Sequence, residues 1–380
     1  MNSARKYDGV DGPKVAIAHD YITQMGGAEK VVLSMSRAFP EAPIYTMLYE
    51  PSTTYPEFAD RDIRVSGVNR LRLLRKFHRA ALPILPLVAE SVFVDADIVL
   101  TSTSGWAHGF RTRGRKLICC HSPAHWLYSP EQYLGDKPSV VPWLGLRLTS
   151  PYLKAWDRRK ALSCDKYLAV STQIKDRVKD VYGIDADVLF PPVAMSQTHD
   201  LEPVPSVGSP RDDGYYLCVS RLLPYKNVDV IVRAFAGSER RLVVVGRGPE
   251  DARLRAMKTP NVTMLCDLTD GQMAQLYKHC RALVAASYED FGLTPIEAGV
   301  WGRPTVALRF GGFLDTIDEG VTGLYFDEPE PGAIAAALDR FETMTLDPDK
   351  IRSHVEQFTE EVFAQKLYAA VDDLAAVDVS

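Results

Sequence analysis

Cysteine is scarce: six residues in 380, none of them in a C-x-x-C pair. That excludes a disulfide framework or a zinc ribbon, and Cys119, Cys120, Cys164, Cys218, Cys266 and Cys280, which lie in or beside apolar runs, read as reduced core residues. No apolar run reaches the roughly 18 residues of a membrane span. Met1 to Lys14 is polar and lacks an apolar signal-peptide core, so the sequence reads as cytoplasmic. Cations are not in excess: 44 Lys+Arg against 49 Asp+Glu give a net charge of -5, which argues against nucleic-acid binding. A G-x-G-x-x-G fingerprint is missing, which counts against a dinucleotide-dependent dehydrogenase. Gly and Pro, 25 of each, are spread along the chain, which rules out collagen-like or low-complexity sequence.

What is present is globular: 46% hydrophobic and 24% charged residues, in a length that suggests two domains of about 150 residues or more. The charge is uneven. Residues 1–200 carry 26 Lys+Arg and 21 Asp+Glu, a balance of +5, whereas residues 201–380 carry 18 and 28, a balance of -10. The halves differ by chance or, the favoured reading, because the first half faces something anionic. Apolar, β-rich runs alternate with helical patterns throughout. Strands are predicted at Lys14–Ala18, Ile44–Met47, Ile98–Thr101, Lys116–Cys120, Lys166–Val170, Tyr215–Val219, Arg241–Val245, Val262–Leu265, Ala282–Ala285 and Thr305–Leu308. Near-continuous apolar strands separated by helices imply α/β domains with parallel sheets covered on both faces, here two Rossmann-like units in tandem. Val193 to Asp213, rich in Pro, Ser and Asp, reads as the linker, and a helix is predicted from Glu360 to Ala376.

Three segments carry candidate chemistry. Gly26 and Gly27 precede a helical pattern (Ala28, Val31, Val32, Met35, Ala38), so they sit at a helix N-terminus where free N–H groups favour a diphosphate; a tight turn needing glycine accounts for the same pair. Arg221 and Lys226 follow the first strand of the second half, at the carboxyl end where open α/β sheets bind ligands; they also read as ordinary surface cations. In Ala286 to Ala298, Pro295 suits the first helical position with Thr294 as N-cap, so Thr294 and Glu297 are predicted to form a capping box. Glu289 precedes that helix and is left without such a structural role.

These residues resemble retaining glycosyltransferases of family 4. The Glu289 to Glu297 pair has the E-x7-E spacing, and Gly26-Gly27-Ala28-Glu29 with Arg221 to Lys226 resembles the donor-binding loops. Ser171, Phe190-Pro191-Pro192-Val193, Gly246-Arg247-Gly248-Pro249, Gly311-Gly312 and Gly320-Val321-Thr322-Gly323-Leu324 match in order, so the resemblance spans nearly the whole chain.

The resemblance implies a GT-B fold: an acceptor-side domain at 1–200, a nucleotide-sugar domain at 201–359, and the final helix (360–380) returning to the first. It implies that Arg221 and Lys226 bind the diphosphate and stabilise its developing charge, and that Glu289 contacts the donor sugar. Glu297 would accept the ribose hydroxyls, and His121, in Cys-Cys-His-Ser-Pro, would contact the donor sugar from the first domain. As an isolated histidine, His121 reads equally as a hydrogen-bonded structural residue. Gly26 and Gly27 would close on the phosphates, the backbone of Phe291, Gly292 and Leu293 would serve the donor, and Gly246, Gly248 and Leu268 would lie around the base. The scheme needs no metal and no cofactor beyond the nucleotide-sugar substrate, so Asp95-Ala96-Asp97 and Asp185-Ala186-Asp187 are read as incidental.

Glu289-Asp290-Phe291-Gly292 and His121-Ser122-Pro123 resemble the bacterial mannosyltransferase branch, which implies GDP-mannose as donor and a glycan or polyprenyl-linked acceptor. The alternatives are a UDP-sugar transferase acting on a small molecule, a nucleotide-sugar 2-epimerase of the same fold, and a catalytically silent partner subunit. Arg70 to Arg79 holds five fixed cations, and Leu82 to Leu87 is apolar. The segment 70–87 therefore reads either as a peripheral membrane contact or as a solvated helix face.

Overall fold

The computed structural model describes residues 12–71, 75, 84–128, 140–193 (140–148 as backbone only), 195, 197, 200–208 and 214–376. It divides the chain into two units, 1–192 with 360–380, and 193–359.

In the first unit the strands are β1 (Val15–His19), β2 (Ile44–Thr46), β3 (Ile63–Val65), β4 (Phe93–Val94), β5 (Ile98–Thr103), β6 (Arg111–Thr112), β7 (Arg115–Cys120), β8 (Lys166–Ala169) and β9 (Asp187–Val188). Seven form an all-parallel sheet in the order β3-β2-β1-β5-β7-β8-β9, while β4 and β6 pair separately. Side chains of β1 alternate between two cores: Val15 and Ile17 pack with the helices Gly27–Ala38 and Thr172–Tyr182, and Ala16 and Ala18 pack with Trp106, Trp126 and Trp156. Both faces are covered, which is why these strands are apolar throughout. The helix Glu360–Ala376 joins the first of these cores through Phe363, Leu367, Val371 and Leu374.

The second unit has β10 (Tyr216–Val219), β11 (Leu242–Val245), β12 (Val262–Leu265), β13 (Ala282–Ala285), β14 (Thr305–Leu308) and β15 (Gly323–Phe326), all parallel, in the order β12-β11-β10-β13-β14-β15. In each sheet the chain winds outward on one side of its first strand and then restarts on the other. The switch points, where open α/β sheets bind ligands, therefore lie between β1 and β5 and between β10 and β13.

Three expectations need correction. Within the expected linker, 202–207 is a packed part of the second unit: Val204 and Val207 are buried in its core, and Glu202 accepts the Thr269 hydroxyl at 2.7 Å, while 194, 196, 198–199 and 209–213 lie outside the described residues. Cys266 is exposed, not a core residue, because it stands just past the end of β12. The capping box at Thr294 does not form: the helix begins at Leu293, its N-cap is Gly292, and Thr294 lies within its first turn.

Candidate active site

In the second unit the loops after β10 and β13 flank the switch point and bind each other. Pro224–Lys226 form one 3-10 turn, and Asn227, left-handed at φ 52°, starts the helix Val228–Phe235. Its side-chain amide donates to the Ala286 carbonyl at 2.9 Å, tying the two loops together. The turn buries Lys226 to 7% exposure, with its ammonium 4.9 Å from the Tyr225 ring centre and donating to Glu289 Oε1. Ser287 donates to the same carboxylate oxygen at 2.9 Å. Lys226 is thus no surface cation: a charge so desolvated persists only beside a fixed counter-charge. Arg221 remains exposed, donating to the Tyr225 hydroxyl at 3.1 Å.

Glu297 has a different anchor from the one expected. Its Oε2 accepts the hydroxyl of Tyr277 at 2.6 Å, and Tyr277 is fully buried. Burial, reinforced by the neighbouring carboxylate, pushes the Tyr277 phenol well above its ordinary range, so it stays a neutral donor.

The glycines of this unit answer to close packing. A Cβ on Gly246 would collide with the Ser220 carbonyl, and one on Gly248 with the Leu222 carbonyl, because the loop after β11 lies against the loop after β10. Gly292 adopts φ +85°, and a Cβ there would stand 2.7 Å from the Phe313 ring. Phe291 is buried with its ring 6.0 Å from that of Phe358. Leu268 packs against the core below β11. Beside it Asp267, at φ 59°, pairs with Arg247.

The first unit gathers its own set at the carboxyl ends of β1, β5 and β7. Asp20 accepts the Thr103 hydroxyl (2.8 Å) and the backbone N–H groups of Ser104 (2.7 Å), Trp106 (3.1 Å) and Ala107 (2.6 Å), fastening the end of β1 to the loop after β5. His19 Nδ1 lies 2.9 Å from the Ser102 carbonyl, which can only accept, so that nitrogen carries the proton. His121 Nε2 lies 2.7 Å from the Ser102 hydroxyl, at the end of β7. Gly26 is the N-cap of Gly27–Ala38, with Glu29 buried in the first turn. His19, Asp20 and Ser102 escape sequence reasoning because they become neighbours only through strand order. Tyr277 escapes it, as does the burial of Glu29, because both depend on tertiary packing.

Of the segment 70–87, residues 72–74 and 76–83 lie outside the described residues. Arg75 is turned inward, paired with Glu50 at 3.0 Å and donating to the Asn69 carbonyl at 2.9 Å. Leu85 is buried, whereas Leu71, Ile84 and Leu87 are exposed. Among the described residues no helix is long and apolar enough to cross a membrane, and no cluster of three metal-ligating side chains occurs.

Comparison with known proteins agrees with this layout. Residues 25–193 match the family described as Glycosyltransferase Family 4, and residues 203–359 match Glycosyl transferases group 1. The chain is similar to the alpha-1,3/1,6-mannosyltransferase ALG2 of Homo sapiens, at 26% identity over 97% of this chain and 98% of that protein. It is 27% identical to the D-rhamnosyltransferase WbpZ of Pseudomonas aeruginosa over 53% of this chain and 58% of that one. In fold it is similar to Anabaena Alr3699/HepE, solved with UDP-glucose, with a TM-score of 0.68 and 16% identity over 95% of this chain and 100% of that chain. Sucrose-phosphate synthase from Thermosynechococcus elongatus gives 0.68 and 18% over 96% and 100%.

Proposed function

Because the chain belongs to glycosyltransferase family 4 and has its GT-B fold, we propose that it is a retaining mannosyltransferase carrying mannose from GDP-mannose to a glycan or polyprenyl-linked acceptor. The observation that carries this reading is the buried Lys226 held on Glu289 at the switch point of the second unit. A departing nucleoside diphosphate gains negative charge, and a fixed, desolvated ammonium stabilises that charge more than a solvated one does. Arg221, exposed beside it, is the second cation for the diphosphate. Glu297, oriented by Tyr277, receives the ribose hydroxyls. In the first unit, His121 contacts the sugar, and Gly26 and Gly27 contact the phosphates.

Retention by double displacement requires a free carboxylate nucleophile. Glu289 Oε1 already accepts from Lys226 and Ser287, which lowers its nucleophilicity and supports departure and attack on the same face of the sugar. Mannose is favoured over other sugars by the near full-length similarity to a protein named as a mannosyltransferase. A lipid-linked acceptor is supported by the exposed Leu71, Ile84 and Leu87 flanking the cation-rich run, which fit a cytoplasmic enzyme resting on a membrane surface.

The test is a thermal-shift panel of GDP-mannose, GDP, UDP-glucose and UDP. A ligand that binds only the folded state raises Tm by mass action. A shift with the two guanosine compounds alone is expected. A shift confined to the uridine compounds would overturn the donor.

A further inference from the structure

The proposed roles leave two carboxylates of the first unit's loop cluster unused; Asp20 is satisfied by the donors of Thr103, Ser104, Trp106 and Ala107, whereas the surroundings of Glu29 are unusual. It stands at the third position of the 12-residue helix Gly27–Ala38 and is 2% exposed, yet its Oε2 has no hydrogen-bond partner. A carboxylate at this position ordinarily reaches back to the N–H of the N-cap residue. Here Oε2 instead crowds the space over Gly26, where any Cβ would collide with it. A buried carboxylate oxygen left unsatisfied is costly, and the cost points to a partner that the free protein lacks.

The chemistry of that partner is limited by its neighbours. The first intrahelical bond at this end runs from the Lys30 N–H to the Gly26 carbonyl, so the N–H groups of Gly27 and Ala28 belong to the unsatisfied first turn, and Gly27 is exposed. Donors and the positive end of a helix dipole select an anion and repel a cation. An anion beside an ionised Glu29 would be repelled, whereas beside a protonated Glu29 it gains one more donor. We propose that the N-terminus of Gly27–Ala38 binds a phosphate-type anion together with a proton, and that Glu29 holds this proton and donates it in a hydrogen bond to the anion. The inference rests on the reading of Gly26 and Gly27 as phosphate-binding and adds a proton to it.

The net effect of the groups around Glu29 is to hold its proton. Burial, the largest influence, raises its carboxyl above the ordinary range, and Asp20 at the end of β1 raises it further. His19, also at the end of β1, Gln24 in the loop and the Glu29 N–H oppose this. A bound anion adds to the raising side, so binding draws a proton from solution over the range between the free and bound values.

Sulfate, whose charge is constant near neutrality, is the probe, and the amide resonances of Gly26 and Gly27 are the local readout. In the wild-type protein the sulfate Kd is expected to rise with pH, by up to about tenfold per pH unit, above the ordinary carboxylate range. In Glu29→Gln, whose amide donates at every pH, the same resonances should still respond while the pH dependence of Kd disappears. A pH-independent wild-type Kd, or a slope that persists in Glu29→Gln because His19 causes it, would overturn the role of Glu29 and leave the anion site standing. No response of the Gly26 and Gly27 amides in the wild type would remove the site as well.

Discussion

Lys226 and Arg221 show how two cations five residues apart acquire different duties. Arg221 is exposed and donates to a tyrosine hydroxyl, so its loss disturbs little else. Lys226 is buried against Glu289 beneath the Tyr225 ring, so its removal leaves a half-buried carboxylate without its counter-charge. Lys226→Ala is expected to lower kcat for sugar transfer by more than tenfold and to cost about 1–3 kcal/mol of stability. Arg221→Ala is expected to lower kcat with Tm unchanged. Steady-state transfer assays and thermal denaturation of the two variants check this, and equal stability losses would show that burial at Lys226 is energetically unimportant.

At the scale of elements, the loops after β10 and β11 are fitted so closely that no side chain can come between them. Gly246→Ala must push a Cβ into the Ser220 carbonyl, and backbone cannot yield as a flexible side chain can. A loss of about 3 kcal/mol or more is expected, read as a lowered denaturation midpoint with no nucleotide present. A variant that kept its midpoint and lost only donor affinity would show that the glycine serves the ligand alone. The ten strands predicted from apolar runs are all present, because strands buried on both faces leave an unmistakable pattern. Those that escaped lie mostly at edges: β3 is largely exposed, β9 has two residues, and β15 opens on a glycine. The expected cap at Thr294 failed for a tertiary reason: Gly292, left-handed and close to Phe313, starts the helix earlier than local sequence suggests. Arg221, Lys226, Glu289 and His121 were legible by position along the chain. The partners Ser102 and Tyr277 were not, since each is delivered by a different strand or helix.

For the molecule as a whole, the last helix belongs to the first unit, 168 residues after the chain leaves it, counting from residue 192 to residue 360. Leu367 and Val371 are fully buried there, Tyr368 donates to the Ala38 carbonyl at 2.7 Å, and Arg115 donates to the Leu374 carbonyl at 2.7 Å. Ending the chain at residue 359 opens that core, and loss of each large buried side chain costs about 2–5 kcal/mol. Amide hydrogen exchange should then show lost protection in β1, β5 and β7 with β10 to β14 unaffected; uniform loss across both sheets would mean that the units do not unfold independently.

Of the six cysteines, four are buried and Cys164 is largely so, with Cys119, Cys164, Cys218 and Cys280 pushed up to about 12 by burial and hence unreactive as thiolates. Cys266 alone is open to solvent, next to Asp267 and the Arg247 pair. The unmodified protein thus carries a single chemical handle: a maleimide dye would attach once per chain, and its emission would report ligand arrival at the loop after β12 without any engineered residue.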